Sequence, residues 1–184
     1  KCGVKNAIGD YVTFVDSDDY ISENLIELLL NHMYQYTDMV SSNLYTLLSN
    51  TKVVMGSSLS QGVYEKEHLY NNFNKLIYNE DANTWGLFQS LSGKLFRRNK
   101  LLEIIKDEND NLSLGDDAAV VYLYALESNN IVLIDDCLYY YRINGGSMTH
   151  TLDVNVFQQI YDFMKYMQLK IQKYSFHFIS HLNL

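Results

Sequence analysis

The chain has 184 residues, enough for one domain with a substantial core and too few for two. Its 47% hydrophobic and 20% charged content is that of a soluble globular protein. A net charge of −8 without a long basic run excludes a dedicated nucleic-acid surface, whereas an anionic substrate stays open because a bound cation reverses the local sign.

Residues 1–9 read as the tail of a helix stopped by Gly9. Residues 11–15 (YVTFV) form a short β-branched and aromatic run, expected to be a strand buried on both faces. It leads straight into the acidic turn Asp16-Ser17-Asp18-Asp19. Ser22 reads as the N-cap of a helix reaching about Tyr36, with Leu25, Ile26, Leu28, Leu29 and Met33 as its apolar face. Strands are expected over 39–48 and 52–55, joined by a turn at Ser49-Asn50, then a helix over 65–78. A loop around Trp85 and Gly86 precedes a strand at 94–96 and a helix over 99–105. Residues 107–111 read as a solvated loop, 116–126 as a helix, and 131–134 and 138–142 as two strands. A flexible loop opens at Gly145-Gly146. A long helix from about Asp153 closes the chain, with Phe157, Ile160, Tyr161, Met164, Met167 and Ile171 as its apolar stripe. The pattern is one mixed α/β unit without repeats: residues 1–152, and a helix over 153–184 packed on them.

Cys2 and Cys137 have neither metal-ligand spacing nor the look of a disulfide framework, and read as reduced thiols of a cytoplasmic protein. No stretch reaches the ~18 apolar residues of a membrane span. The opening Lys-Cys-Gly, with no start methionine, reads as the interior of a longer chain.

The acidic turn admits three readings. Carboxylates at i and i+2 can converge on a hard divalent cation, and ligands of α/β sheets collect at strand C-termini. An EF-hand loop starting at Asp16 is disfavoured, because Ile21 stands where the sharp turn needs Gly and an apolar strand precedes the loop. A solvated turn ahead of a helix N-terminus, where carboxylates are favourable anyway, is about as good an account of the turn taken alone.

Four segments in register carry a resemblance. They are residues 3–21, Gly93-Lys94-Leu95-Phe96-Arg97-Arg98, Gly115-Asp116-Asp117, and Tyr139-Tyr140-Tyr141-Arg142 followed by Ser147 and Thr149. Together they resemble family 2 glycosyltransferases of the GT-A fold, with Asp116 where the family's Gly-Glu-Asp signature has Glu. The resemblance implies a Rossmann-like mixed sheet flanked by helices, of which this chain holds only part of the nucleotide-binding half. The missing base- and ribose-holding strands amount to on the order of 60 residues upstream, by the size of βαβ units.

It also implies inverting transfer from a nucleotide-sugar, UDP being the usual carrier, to a glycan or lipid-linked acceptor, with Mn²⁺ or Mg²⁺. In that scheme Asp18 is the first metal ligand, and Asp16 lies nearer the ribose and metal. His150 is a candidate third ligand. Asp117 is the catalytic base, and Asp116, Trp85 and Lys94 serve the acceptor. Arg142 and Ser147 hold the diphosphate, the guanidinium fork suiting phosphate oxygens. Asp19 assists or caps the following helix. Each role has a plainer alternative: first-turn helix acids for Asp116 and Asp117, a strand-end surface residue for Arg142, a solvated imidazole for His150, core packing for Trp85. Two further readings stay open, a non-catalytic fragment of such an enzyme and a metal-independent glycoside hydrolase. The C-terminal helix is expected to pack on its own domain. Contact with a second copy or with the inner face of a membrane is the alternative, although few basic residues line its polar face.

Overall fold

The computed structural model describes residues 2–48, 51–106, 112, 114–143 and 155–181, the side chains of 48 and 173–181 excepted. Two long strands organise it. β3 (Thr37–Leu48) and β7 (Asn130–Arg142) run parallel to each other, and their apolar stretches are closed off from water, as in strands covered on both faces. Each changes its outer partner halfway. β6 (Lys94–Arg97) pairs with the first part of β3 and β4 (Thr51–Met55) with the second. β5 (Gly62–Glu65) pairs with the first part of β7 and β2 (Tyr20–Ile21) with the last. β1 (Tyr11–Val12) lies outside β6, so the described sheet has the order β1-β6-β3-β7-β2 with β4 and β5 as side branches.

The change of partner coincides with a bulge. Ser41 pairs with Leu133 and Asn43 with Cys137, so Asp135 and Asp136 swell outward. The Asn43 amide donates to the Asp135 carbonyl across this gap (3.3 Å). The two strands expected over 131–134 and 138–142 are therefore one, because a polar pair that looks like a turn is absorbed as a bulge.

Helices cover both faces. α2 (Leu25–Asn31) lays Leu25 and Leu29 on Val40, Leu44 and Tyr139. On the opposite face α6 (Asp116–Glu127) is buried without a break from Ala118 to Leu126. Around it pack α3 (Lys66–Asn71), α4 (Phe73–Ile77), α5 (Arg98–Lys106) and α7 (Val156–His181), with α1 (Cys2–Asn6) adding Val4. Gly115 starts α6 at φ +78°, a conformation that costs any other residue strain, and a Cβ there would stand 2.7 Å from the Phe163 ring of α7.

Other expectations need correction. Residues 11–15 are only half-buried or exposed, since β1 pairs with β6 alone and only Phe14 makes a further bridge, to Ser92. α2 has Asn24 at its N-cap and ends at Asn31, short of Tyr36. The helix expected over 65–78 begins with a strand residue, Glu65, and breaks at Asn72. On α7 the buried side is Tyr166 and Met167 with Phe163 and Ile171, whereas Phe157, Ile160, Tyr161 and Met164 of the expected stripe face water. That helix is apolar over a broad arc, and the notch at Gly115 selects the side carrying Phe163. The turn at Ser49-Asn50, the loop at 107–111 and the loop opening at Gly145-Gly146 lie outside the described residues. Among the described residues no helix is long and apolar enough to cross a membrane.

Candidate functional site

The acidic turn leaves β1 through Phe14 and is tied to the far end of β7. The Asp19 N–H donates to the Asp16 carbonyl (3.1 Å), closing the turn. The Asp16 N–H donates to the Tyr139 phenol oxygen (3.0 Å), and that phenol donates to Asp19 Oδ2 (2.8 Å). Asp19 Oδ1 accepts the Arg142 N–H (2.9 Å), and the Arg142 Nε donates to the Asp18 carbonyl. Asp19 is thus not a cap for α2; both of its oxygens are engaged by β7.

Residues 90–94 are the second organiser. Ser92 donates to Asp16 Oδ2 (3.5 Å), while the Leu91 N–H donates to Asp117 Oδ2 (3.3 Å). One short segment therefore grips both acids from neighbouring residues. Lys94, fully buried, reaches back to the Ser90 carbonyl (2.6 Å) and lies over the Phe88 ring (5.5 Å).

The electrostatics follow from this crowding. Partial burial pushes the Asp16 carboxyl above the ordinary carboxylate range, the Asp19 and Asp18 charges add to it, and the Ser92 hydroxyl opposes it. Burial likewise raises Asp117, with the Asp116 and Asp16 charges acting the same way; the Leu91 N–H and the Lys94 charge pull it back. Burial drives the Lys94 amine down to about 7, against the attraction of Asp117.

The structure thus brings Asp16, Asp117 and Lys94 together, and puts Arg142 against Asp18. Asp116 is exposed at the first residue of α6. Trp85 is 40% exposed on a turn whose carbonyl accepts the Ser58 N–H, and it takes no part in the contacts joining the acids. Ser147 and His150 lie outside the described residues. Tyr139, Leu91 and Ser92 were not singled out as site residues from sequence. Only Tyr139 had a signal, its place in the Tyr-x-Tyr-Arg run.

Among the described residues no group of three His, Cys, Asp or Glu is arranged to hold a metal. Asp16 and Asp18 still suit a hard cation. Both offer oxygen donors, and the Asp19 and Asp18 charges that add to the effect of burial on Asp16 are what a cation would offset.

The fold and these motifs define a class, and comparison with known proteins gives it a family. The model of "Glycosyl transferase family 2" matches residues 1–105, more than half the chain. The chain belongs to the family 2 glycosyltransferases. That match takes in the acidic turn and Lys94; Asp117 and Arg142 lie beyond it. Glycosyltransferase GlyA of Streptococcus pneumoniae is 31% identical over 151 residues, covering 80% of this chain and 21% of GlyA. The minor teichoic acid biosynthesis protein GgaB of Bacillus subtilis is 24% identical, over 83% of this chain and 16% of GgaB. The crystal structure of Staphylococcus aureus TarS 1–349 in complex with UDP-GlcNAc superposes with a TM-score of 0.65 at 22% identity, covering 92% of this chain and 45% of that one. The fold is accordingly of the GT-A type. The chain spans about a fifth of the length of GlyA and about a sixth of that of GgaB.

Proposed function

We propose that the protein transfers a sugar from a nucleotide-sugar, a UDP-sugar, to a glycan or lipid-linked acceptor of the cell envelope, with inversion at the anomeric carbon. The observation that carries this reading is the joint grip of residues 90–94 on Asp16 and Asp117. It sets an acid suited to the donor side beside an acid suited to the acceptor side. The envelope acceptor is inferred from relatives such as GgaB, and the donor from the UDP-GlcNAc complex of TarS.

In this reading Asp117 is the general base. Its raised pKa brings it nearer neutrality, which suits a group that must take a proton from an acceptor hydroxyl and still be ionised beforehand. The acceptor oxygen gives its proton to the Asp117 carboxylate and forms a bond to the anomeric carbon. The bond from that carbon to the diphosphate breaks, and the nucleoside diphosphate leaves with the electron pair. Asp18 and Asp16 would hold Mn²⁺ or Mg²⁺, which when bound supplies Lewis-acid neutralisation of the leaving diphosphate. Arg142, anchored on the Asp18 carbonyl, puts a guanidinium beside the same site. Asp116 and Lys94 flank Asp117 on the acceptor side. The exposed Phe157, Ile160, Tyr161 and Met164 of α7 are the apolar surface that contact with a membrane or a second copy would use.

A second reading is an acceptor-side module without activity of its own. Calorimetric titration of a UDP-sugar with Mn²⁺ separates the two: heat on this chain favours the enzyme, and heat only on a longer protein favours the module. In a protein that transfers, Asp117→Asn is expected to lower kcat by at least ~100-fold with donor affinity near wild type. Transfer that survives this change, or that persists in chelator, would overturn the assignment of the base or of the metal respectively.

A further inference from the structure

We infer that Tyr139 and Asp19 form a pin that positions the acidic turn, and that Asp19 is a positioning residue rather than a donor to substrate or metal. The inference rests on the metal-site reading above and adds to it the device that holds the site in shape.

The turn 16–19 leaves the strand Tyr11–Val12 and returns through the two-residue strand Tyr20–Ile21, so little regular structure flanks it. Such a loop does not keep two carboxylates aimed at one point by itself. The stiffness comes from β7. Tyr139 is fully buried, packed with Leu25, Leu29 and Leu44, and its backbone is locked between β2 and β3 by pairing with Ile21 and Leu44. Its phenol emerges from this core under the turn. There it accepts the Asp16 N–H (3.0 Å) and donates to Asp19 Oδ2 (2.8 Å).

A phenol uses one proton and its lone pairs in these contacts, so one oxygen fixes both ends of the four-residue turn. Asp19 completes the clasp by accepting the Arg142 N–H three residues further along the same strand. With two donors accepted, both carboxylate oxygens of Asp19 are committed to β7. These contacts also link the turn mechanically to the end of β7, from which the chain runs on after Arg142.

The test compares Tyr139→Phe, Asp19→Asn and Asp18→Asn with wild type. Tyr139→Phe keeps the ring and its packing and removes only the oxygen. Amide exchange of Asp16, followed by NMR, is expected to speed up about tenfold or more in Tyr139→Phe, with the core amide of Val40 unchanged. Mn²⁺ affinity, read by water-proton relaxation on the same samples, is expected to drop about tenfold in Tyr139→Phe and to be lost in Asp18→Asn. Asp19→Asn keeps an oxygen acceptor for one of its two partners and is expected to fall between them. Unchanged Asp16 exchange in Tyr139→Phe, with the thermal midpoint preserved, overturns the pin. An Asp19→Asn variant that loses Mn²⁺ as completely as Asp18→Asn makes Asp19 a ligand and overturns its assignment. If wild type binds no Mn²⁺, the metal reading fails, and the exchange measurement still decides the pin.

Discussion

Replacing Lys94 by Met removes a charge while nearly keeping the shape of the side chain, and its consequences can be worked out in sign and size. Lys94 is wholly buried, donates to the Ser90 carbonyl and gives up its proton at about 7 because burial disfavours the ammonium. In the unfolded chain the same amine stays protonated to about 10.4. Between those values the unfolded chain binds the extra proton and the folded one does not, so stability rises with pH through the window and is lost as pH falls back towards 7. At 1.36 kcal/mol per unit over roughly three units, the gain by pH 10 is on the order of 4 kcal/mol. Lys94→Met has no such proton. Urea unfolding of both proteins at half-unit steps from pH 7 to 10 is the assay. The wild-type free energy is expected to climb relative to the variant by several kcal/mol, the many tyrosines cancelling in the difference. Two curves that stay parallel within about 1 kcal/mol would refute the reasoning, since the buried amine would then not be titrating in this range. The same variant takes away a charge that lowers the Asp117 pKa. The acid limb of the transfer rate, where it reports Asp117, is expected to move to higher pH.

Two further substitutions test the frame around the site. Asp38 is buried and accepts Lys100 Nζ (2.6 Å) and the Asn129 N–H (2.6 Å), with Arg97 Nε at 3.7 Å. Of the Asp38 and Glu127 acceptors, Asp38→Ala leaves the partly buried Lys100 ammonium only the Glu127 carbonyl, and it takes the acceptor from the Asn129 N–H. It is expected to cost about 3 kcal/mol in chemical denaturation; a cost below about 1 kcal/mol would mean that the pair is dispensable. A Cβ on Gly86 would stand 1.7 Å from the Lys75 carbonyl oxygen and 2.9 Å from that of Leu76. Gly86→Ala must therefore shift backbone, and a fall of about 3 kcal/mol or more, or loss of soluble protein, is expected. A thermal midpoint within a few degrees of wild type would contradict it.

Sequence periodicity shows what repeats locally. The hairpin of β3 and β4 and the buried run of α6 were legible because their apolar residues are contiguous or alternate within a short window. β5 and β2 were not read as strands, as runs of four and two residues carry too few positions for a pattern. The expected stripe of α7 holds for Met167 and Ile171 and fails for Phe157, Ile160, Tyr161 and Met164 for a different reason. Apolar residues cover much of its circumference, and the choice among faces is made by a neighbour distant in sequence, the gap at Gly115 that admits Phe163. The acids of the site were visible as motifs, but their supports were not. Leu91 acts through a backbone N–H, which no sequence pattern encodes, and Ser92 and Tyr139 act across contacts 76 and 123 residues long.

Those long contacts make the site a consequence of strand register. β6 pairs on one side with β1, Val12 opposite Phe96, and on the other with β3, Met39 opposite the same Phe96. Phe96 is fully buried, edge-on to Phe14 on the way to the acidic turn and to Tyr124 of α6 (6.0 and 5.0 Å). A slip of one residue would turn Phe96 to the opposite face of the sheet and put Arg97 or the smaller Leu95 in its place, so the aromatic packing favours the observed register. With Phe96 fixed, Ser92 and Leu91 have no choice of position, and the reach from Ser92 to Asp16 and from Leu91 to Asp117 follows. The two acids lie about a hundred residues apart in the chain, yet their geometry depends on the register at one aromatic residue that touches neither, as well as on the Tyr139 contacts that hold the turn.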